Sequence, residues 1–254
     1  MAEIENNRAQ ETKKVENSNR IQTSLFNAAE RKLLIKIANK LPRWMTSDML
    51  TLIGVLGAVV IAVGYWLSNK NISWLWLASF GLFINWFGDS LDGTVARVRG
   101  TQRPVYGYYV DHITDAINET IIFTGAGLSM LVDLRIALFL LVFYLILTLN
   151  VSVNAHLKNE FKLTYLGLGP TEFRIAIVIV NTLFIFIRPI REFSRSFVIN
   201  GVPVTLGIFD YIAIVIGLLL LGIIVVTFFK DAKGYALIDP LPSAKKEDKS
   251  GEGK

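Results

Sequence analysis

The chain has 254 residues, 52% of them hydrophobic, a formal net charge of +5 and no cysteine; its mean hydropathy is +0.47. That hydropathy is too high for an ordinary soluble domain. The absence of cysteine excludes disulfide staples, thiolate catalysis and thiolate-bound zinc or iron–sulfur sites. Two histidines, His112 and His156, are too few to build a metal site, so any metal rests on oxygen ligands, which suit hard cations such as Mg²⁺ or Mn²⁺.

Charge is concentrated at the two ends, and the middle of the chain is nearly free of it, as in a membrane bundle with solvated termini. Residues 1–24 are polar, carry no apolar signal-peptide core and read as a disordered tail. Residues 25–44 alternate Arg31, Lys32, Lys36 and Lys40 with Leu33, Leu34, Ile37 and Leu41 at helical spacing. This predicts an amphipathic helix lying at the membrane interface, ended by Pro42 and anchored by Trp44.

Six membrane spans are predicted next, near 49–67, 72–89, 111–131, 134–153, 171–187 and 206–229. Ser47 and Asp48 are candidate caps for the first. Together they make residues 45–232 one six-helix catalytic domain in an all-α fold, with 233–254 a second disordered polar tail. Arg97, Arg99 and Arg103, Lys158 and Lys162, and Lys230 and Lys233 place their loops and both termini on the cytoplasmic side. Arg188, Arg191 and Arg195 run against that orientation. No basic stripe with interleaved aromatics points to nucleic acid.

The informative segment is Asp89-Ser90-Leu91-Asp92-Gly93-Thr94-Val95-Ala96-Arg97, followed by Gly107 through Asp111 to Asp115. Asp89 and Asp92 are spaced i,i+3; Asp111 and Asp115 are spaced i,i+4. On helices each pair shares one face on successive turns. The short connection predicts that the two helices are antiparallel neighbours, with both pairs at the same depth. Four carboxylates in a small volume require a counter-charge. One or two divalent cations supply it most simply; exposure to water or pairing with Arg97, Arg99 and Arg103 are the alternatives. Gly93 and Ala96 allow close approach of a ligand or backbone, and Gly107 clears the face that carries Asp111.

The pattern D-x-x-D-G-x-x-A-R, then G-x-x-x-D-x-x-x-D, resembles the signature of the CDP-alcohol phosphotransferase family, with every fixed position present. The resemblance implies an interfacial helix followed by six membrane helices, often in a homodimer. It implies Asp89, Asp92 and Asp111 as metal ligands, and Asp115 as a ligand of a second Mg²⁺ or Mn²⁺ and the general base. It implies Gly93 and Arg97 as contacts of the CDP donor, joined by Asp48 and Thr51, although the family's proline before Asp48 is Ser47 here. The expected activity moves a phosphatidyl group from CDP-diacylglycerol to a small alcohol and releases CMP. Arg174 resembles an arginine that binds the acceptor phosphate in members using phosphorylated polyols such as inositol phosphate or glycerol phosphate. Asp111-His112 resembles the choline and ethanolamine branch, which moves a phosphoalcohol from its CDP ester to diacylglycerol. Asn85 and Glu119, one turn from Asp89 and Asp115, either extend the site or hydrogen-bond between helices.

Two other classes share some features. Intramembrane prenyltransferases also handle a pyrophosphate with two Asp-rich motifs and Mg²⁺, but those motifs lie far apart in sequence. A divalent-cation transporter also needs intramembrane carboxylates, but along a path rather than at one boundary.

Overall fold

A computed structural model describes residues 19–21, 27–158, 160–162, 170–199 and 201–241. Of the predicted tails at 1–24 and 233–254, residues 1–18, 22–24 and 242–254 lie outside the described residues, as do the side chains of His156, Lys158 and Lys162. The helices are α1 (Asn27–Lys40), α2 (Ser47–Ser68), α3 (Leu75–Arg99), α4 (Pro104–Gly127), α5 (Leu134–Lys158), α6 (Pro170–Phe186), the short α7 (Arg188–Glu192) and α8 (Ile208–Ile238). The molecule is an all-helical membrane bundle with two small strand pairs. Among the described residues, three helical segments are long and apolar enough to cross a membrane: Ser47–Ser68, Leu134–Ala155 and Ile208–Ile238. Apolar side chains such as Leu218, Val226 and Phe229 stand exposed around α8, as expected of a lipid-facing helix.

Helix boundaries differ from the sequence expectation in three places. The cap of α2 is Thr46, whose Oγ1 accepts from the Met49 amide at 3.3 Å; Ser47 instead donates to the Asp92 carbonyl at 2.8 Å. α3 continues ten residues beyond Asp89, and α4 begins seven residues before Asp111. The acidic turns therefore lie inside long helices, where the apolar run ends, because intrahelical hydrogen bonding does not stop at the edge of the apolar sequence. α8 likewise runs to Ile238, past the predicted start of the polar tail at 233.

α2 and α3 pack antiparallel through glycine. A Cβ on Gly57 would overlap the Asn85 backbone, one on Gly64 the Ala78 backbone and one on Gly88 the Gly54 backbone; one on Gly81 would come within 2.6 Å of the Ile61 amide nitrogen. These contacts fix a single register, in which small residues let the backbones touch. α4 also packs on α2, with Gly125 against Ala62. α3 and α4 both pack on α2, do not pack closely on each other, and face each other across a gap at the level of their acidic turns. The gap between them is where the site forms. Tyr65 donates to Asn181 at 3.1 Å and Asn181 to Ser79 at 3.2 Å, so a buried polar chain ties α6 to α2 and α3. α1 lies on α3, its Leu34 and Ala38 buried with Leu50, Leu91 and Val95.

Between α7 and α8 the chain forms an antiparallel hairpin, β3 (Ser194–Ile199) with β4 (Val202–Gly207). The sequence Asn200-Gly201 is a hairpin signal, and Gly201 has φ +80°. Of the arginines that disagree with the charge rule, Arg195 lies on this hairpin, and Arg188 and Arg191 lie on α7 just before it. Arg188 pairs with Glu192 at 2.6 Å, and Arg195 lies 5.9 Å from the Phe193 ring centroid. Parallel β2 (Glu160–Lys162) pairs with β1 (Asn19–Ile21). Asp210, only 3% exposed, accepts from the amides of Asp133 (2.7 Å) and Gly207 (2.8 Å) and so pins the α4–α5 turn to the start of α8. Asp210→Ala leaves both donors unmet and is expected to destabilise the fold by about 2 kcal/mol. A thermal-unfolding midpoint in detergent unchanged from wild type would contradict this.

Candidate active site

Three helices build one cleft. α2 supplies Thr51 and Gly54, α3 supplies Asp89 and Asp92, and α4 supplies Asp111, Thr114, Asp115 and Asn118. The i,i+3 and i,i+4 spacings put each acidic pair on the face that turns toward the gap. Oxygen atoms of Asp89, Asp111 and Asp115 all lie within 4.8 Å of one another. Asp92 lines the same cleft but faces α2: it accepts from Thr51 Oγ1 at 2.7 Å and from the Gly93 amide. Thr51, named from the sequence as a donor contact, is thereby placed in the acidic cleft.

The counter-charge at the cluster comes from a residue distant in sequence. Arg174, in the first turns of α6, donates to Asp89 Oδ2 at 2.8 Å and to Asn85 Oδ1 at 3.1 Å. Asn85 is buried, and its Nδ2 donates to the Gly54 carbonyl at 3.0 Å, so it serves both the site and the α2–α3 packing. Arg99 and Arg103 are occupied elsewhere. Arg99 donates to the carbonyls of Met45 (2.6 Å), Pro42 (3.0 Å) and Leu41 (3.1 Å), gripping the elbow between α1 and α2. Arg103 stacks 3.7 Å from the Tyr106 ring centroid. Arg97 donates to Thr94 at 3.0 Å and lies over Gly93, where a Cβ would stand 3.2 Å from its Nη1.

Other sequence candidates take different places. Asp48 is exposed and outside the cleft, with the Tyr106 hydroxyl 3.5 Å away. Gly107 has open space where its Cβ would be, so it does not serve as a packing position; Ala96 accepts from the Thr101 amide at 3.0 Å where α3 ends. Gly100, at φ +65°, then reverses the chain, and Pro104 opens α4. His112 turns its Nδ1 to the Tyr108 carbonyl at 2.9 Å, not into the cleft. Asn118 Oδ1 and Glu119 Oε2 are buried with no hydrogen-bond partner among the described residues. An orphaned acceptor facing an acidic cleft is what a site built for a cation and its water would leave.

The donor set is all oxygen, converges from two helices and contains an unpartnered buried carbonyl. It fits a hard divalent cation. Residues 44–227 match the family described as CDP-alcohol phosphatidyltransferase. The chain belongs to this family. It is also similar to the phosphatidylinositol phosphate synthase of Cutibacterium acnes (strain DSM 16379 / KPA171202), with 36% identity over 104 residues. That alignment covers 41% of this chain and 48% of the relative, so the chain spans about half the length of the curated relative it matches.

Proposed function

We propose that this protein transfers a phosphatidyl group from CDP-diacylglycerol to the hydroxyl of a phosphorylated polyol, inositol phosphate being the leading candidate, with release of CMP. The observation that carries the reading is the meeting of Asp89, Asp111 and Asp115 with the Arg174 guanidinium in one cleft. The family supports the donor, and the name of the bacterial relative supports the acceptor.

Asp89, Asp111 and Asp115 would hold the divalent cation, with Asp92 beside them braced by Thr51. Mg²⁺ or Mn²⁺ there, in one or two copies, would supply the positive charge that a pyrophosphate and a departing CMP require. Gly93, with no side chain to crowd the guanidinium above it, lets Arg97 turn toward the cytidine diphosphate and pair with phosphate oxygen. Arg174 binds the acceptor's phosphate by charge-assisted hydrogen bonds. The acceptor hydroxyl oxygen forms a new bond to the diacylglycerol-bearing phosphorus as the phosphorus–oxygen bond to CMP breaks. An Asp115 carboxylate oxygen takes the hydroxyl proton.

In this reading α2, α3, α4, α5, α6 and α8 are the six spans and α1 lies at the interface. The acidic cleft and both termini face the cytoplasm, where the basic residues of α1, the α3–α4 turn and the end of α8 meet anionic lipid. The working unit is a homodimer.

Purified protein given Mn²⁺, CDP-diacylglycerol and a mixture of inositol phosphate, glycerol phosphate, inositol and serine is expected to make phosphatidylinositol phosphate, read by mass spectrometry, with stoichiometric CMP and no product after EDTA. Product from inositol or serine but not from inositol phosphate would reject the acceptor. Arg174→Ala is expected to raise KM for inositol phosphate at least tenfold and KM for CDP-diacylglycerol less than twofold, because the arginine comes from α6, whereas the donor contacts are assigned to α2 and α3.

A further inference from the structure

One carboxylate oxygen of the interfacial helix joins three elements around the site. Glu30 Oε1 accepts from Trp86 Nε1 on α3 at 2.7 Å and from Thr171 Oγ1 on α6 at 2.7 Å. Glu30, Leu34 and Ala38 recur every four residues, so they share one face of α1. Leu34 and Ala38 are buried against Leu91 and Val95, and Glu30 is therefore carried to α3 by the same seat. At the other end of α1, Arg99 grips the carbonyls of Leu41, Pro42 and Met45. The helix is thus fastened to α3 near both ends and behaves as a strut.

Thr171 and Arg174 are i,i+3 on α6, one turn apart on neighbouring positions of one face. Their partners on α3 are equally close: Trp86 stands between Asn85 and Asp89, which both accept from Arg174. The Glu30 contact therefore sets the height and rotation of the first turn of α6 on α3. Those two coordinates decide whether the Arg174 guanidinium reaches the acidic cluster.

We infer that Glu30 is a positioning residue for the acceptor subsite: through Thr171 it fixes the register of α6 on α3 and with it the reach of Arg174. The inference rests on the reading of Arg174 as the acceptor-phosphate group. Glu30 itself touches no substrate. The donor contacts are assigned to α2 and α3 and the acceptor contact to α6, so removing the tie to Thr171 is expected to affect the acceptor far more than the donor.

The test uses full-length protein in detergent micelles with Mn²⁺, CDP-diacylglycerol and inositol phosphate. Glu30→Ala and Thr171→Val are expected to raise KM for inositol phosphate about tenfold, with kcat and KM for CDP-diacylglycerol changed less than twofold. Glu30→Gln, which keeps an oxygen acceptor in place, is expected to stay within twofold of wild type. The chain has no cysteine, so spin labels at Phe83→Cys on α3 and Ile175→Cys on α6 report one distance; it is expected to broaden in Glu30→Ala and to remain narrow in Glu30→Gln. An unchanged acceptor KM in Glu30→Ala, beside a raised one in Arg174→Ala, overturns the inference and leaves the Arg174 reading intact. Equal losses in the donor and acceptor constants also overturn it, since a general scaffold role predicts them. If Arg174→Ala leaves the acceptor KM unchanged, that reading fails. The label distance then decides separately: broadening in Glu30→Ala supports the strut, and no broadening overturns it.

Discussion

Asp115→Asn is expected to lower phospholipid synthesis about 10³-fold while the protein remains folded. Asparagine keeps the size and one hydrogen-bonding oxygen of the side chain but cannot take a proton from the acceptor hydroxyl, and a positioned general base is worth about 10²–10⁴-fold. The same substitution removes one of three carboxylates whose oxygens lie within 4.8 Å of one another. Two stability effects with opposite signs follow. Without divalent ions the variant is expected to melt at or above the wild-type temperature, because mutual repulsion in the cluster is relieved. With Mn²⁺ the wild type gains stability by mass action and the variant gains less. Removing a charge from a site strained for function commonly stabilises the protein at the expense of activity. CMP release and melting curves with and without Mn²⁺ check both parts. Turnover within tenfold of wild type would reject Asp115 as the base.

The second large effect is structural. Gly88→Leu is expected to abolish recovery of folded protein. A Cβ at this position would overlap the Gly54 backbone and come within 2.5 Å of the Leu50 carbonyl oxygen. Backbone cannot rotate aside as a side chain can, so α2 and α3 must separate, at a cost above the about 1–3 kcal/mol usual for overpacking. The interface being opened is also the one that sets Thr51 against Asp92 and Gly54 beneath Asn85, so any surviving protein is expected to lack activity. Gly222→Leu is the control, because nothing lies within 4 Å of a Cβ at that site on α8. Size-exclusion chromatography in detergent distinguishes the two; a monodisperse Gly88→Leu peak of wild-type yield would show that the α2–α3 contact is looser than described.

The acidic residues were legible because their chemistry is local. Spacings of three and four residues place carboxylates on one helical face whatever the rest of the chain does. The same local signals misjudged where α3, α4 and α8 end, because apolar sequence reports where a helix meets lipid and not where its backbone hydrogen bonding stops. Gly54, Gly57, Gly81 and Gly88 carried no message when read one at a time; their meaning lies in the other helix. The hairpin, by contrast, has a local signal in Asn200-Gly201 between two runs of β-branched and apolar residues.

From its sequence alone this protein is determined to be a membrane bundle with two closely spaced aspartate pairs, since composition, periodicity and residue spacing are properties of short stretches of chain. Only the tertiary structure decided that α2, and not a direct contact of α3 with α4, holds the acidic turns across a cleft, that Asp92 leans on Thr51, and that Arg174 and Glu30 belong to the same frame. Such contacts join residues 41 to 141 positions apart. They depend on which helix faces close-pack, and no local pattern in the sequence encodes that.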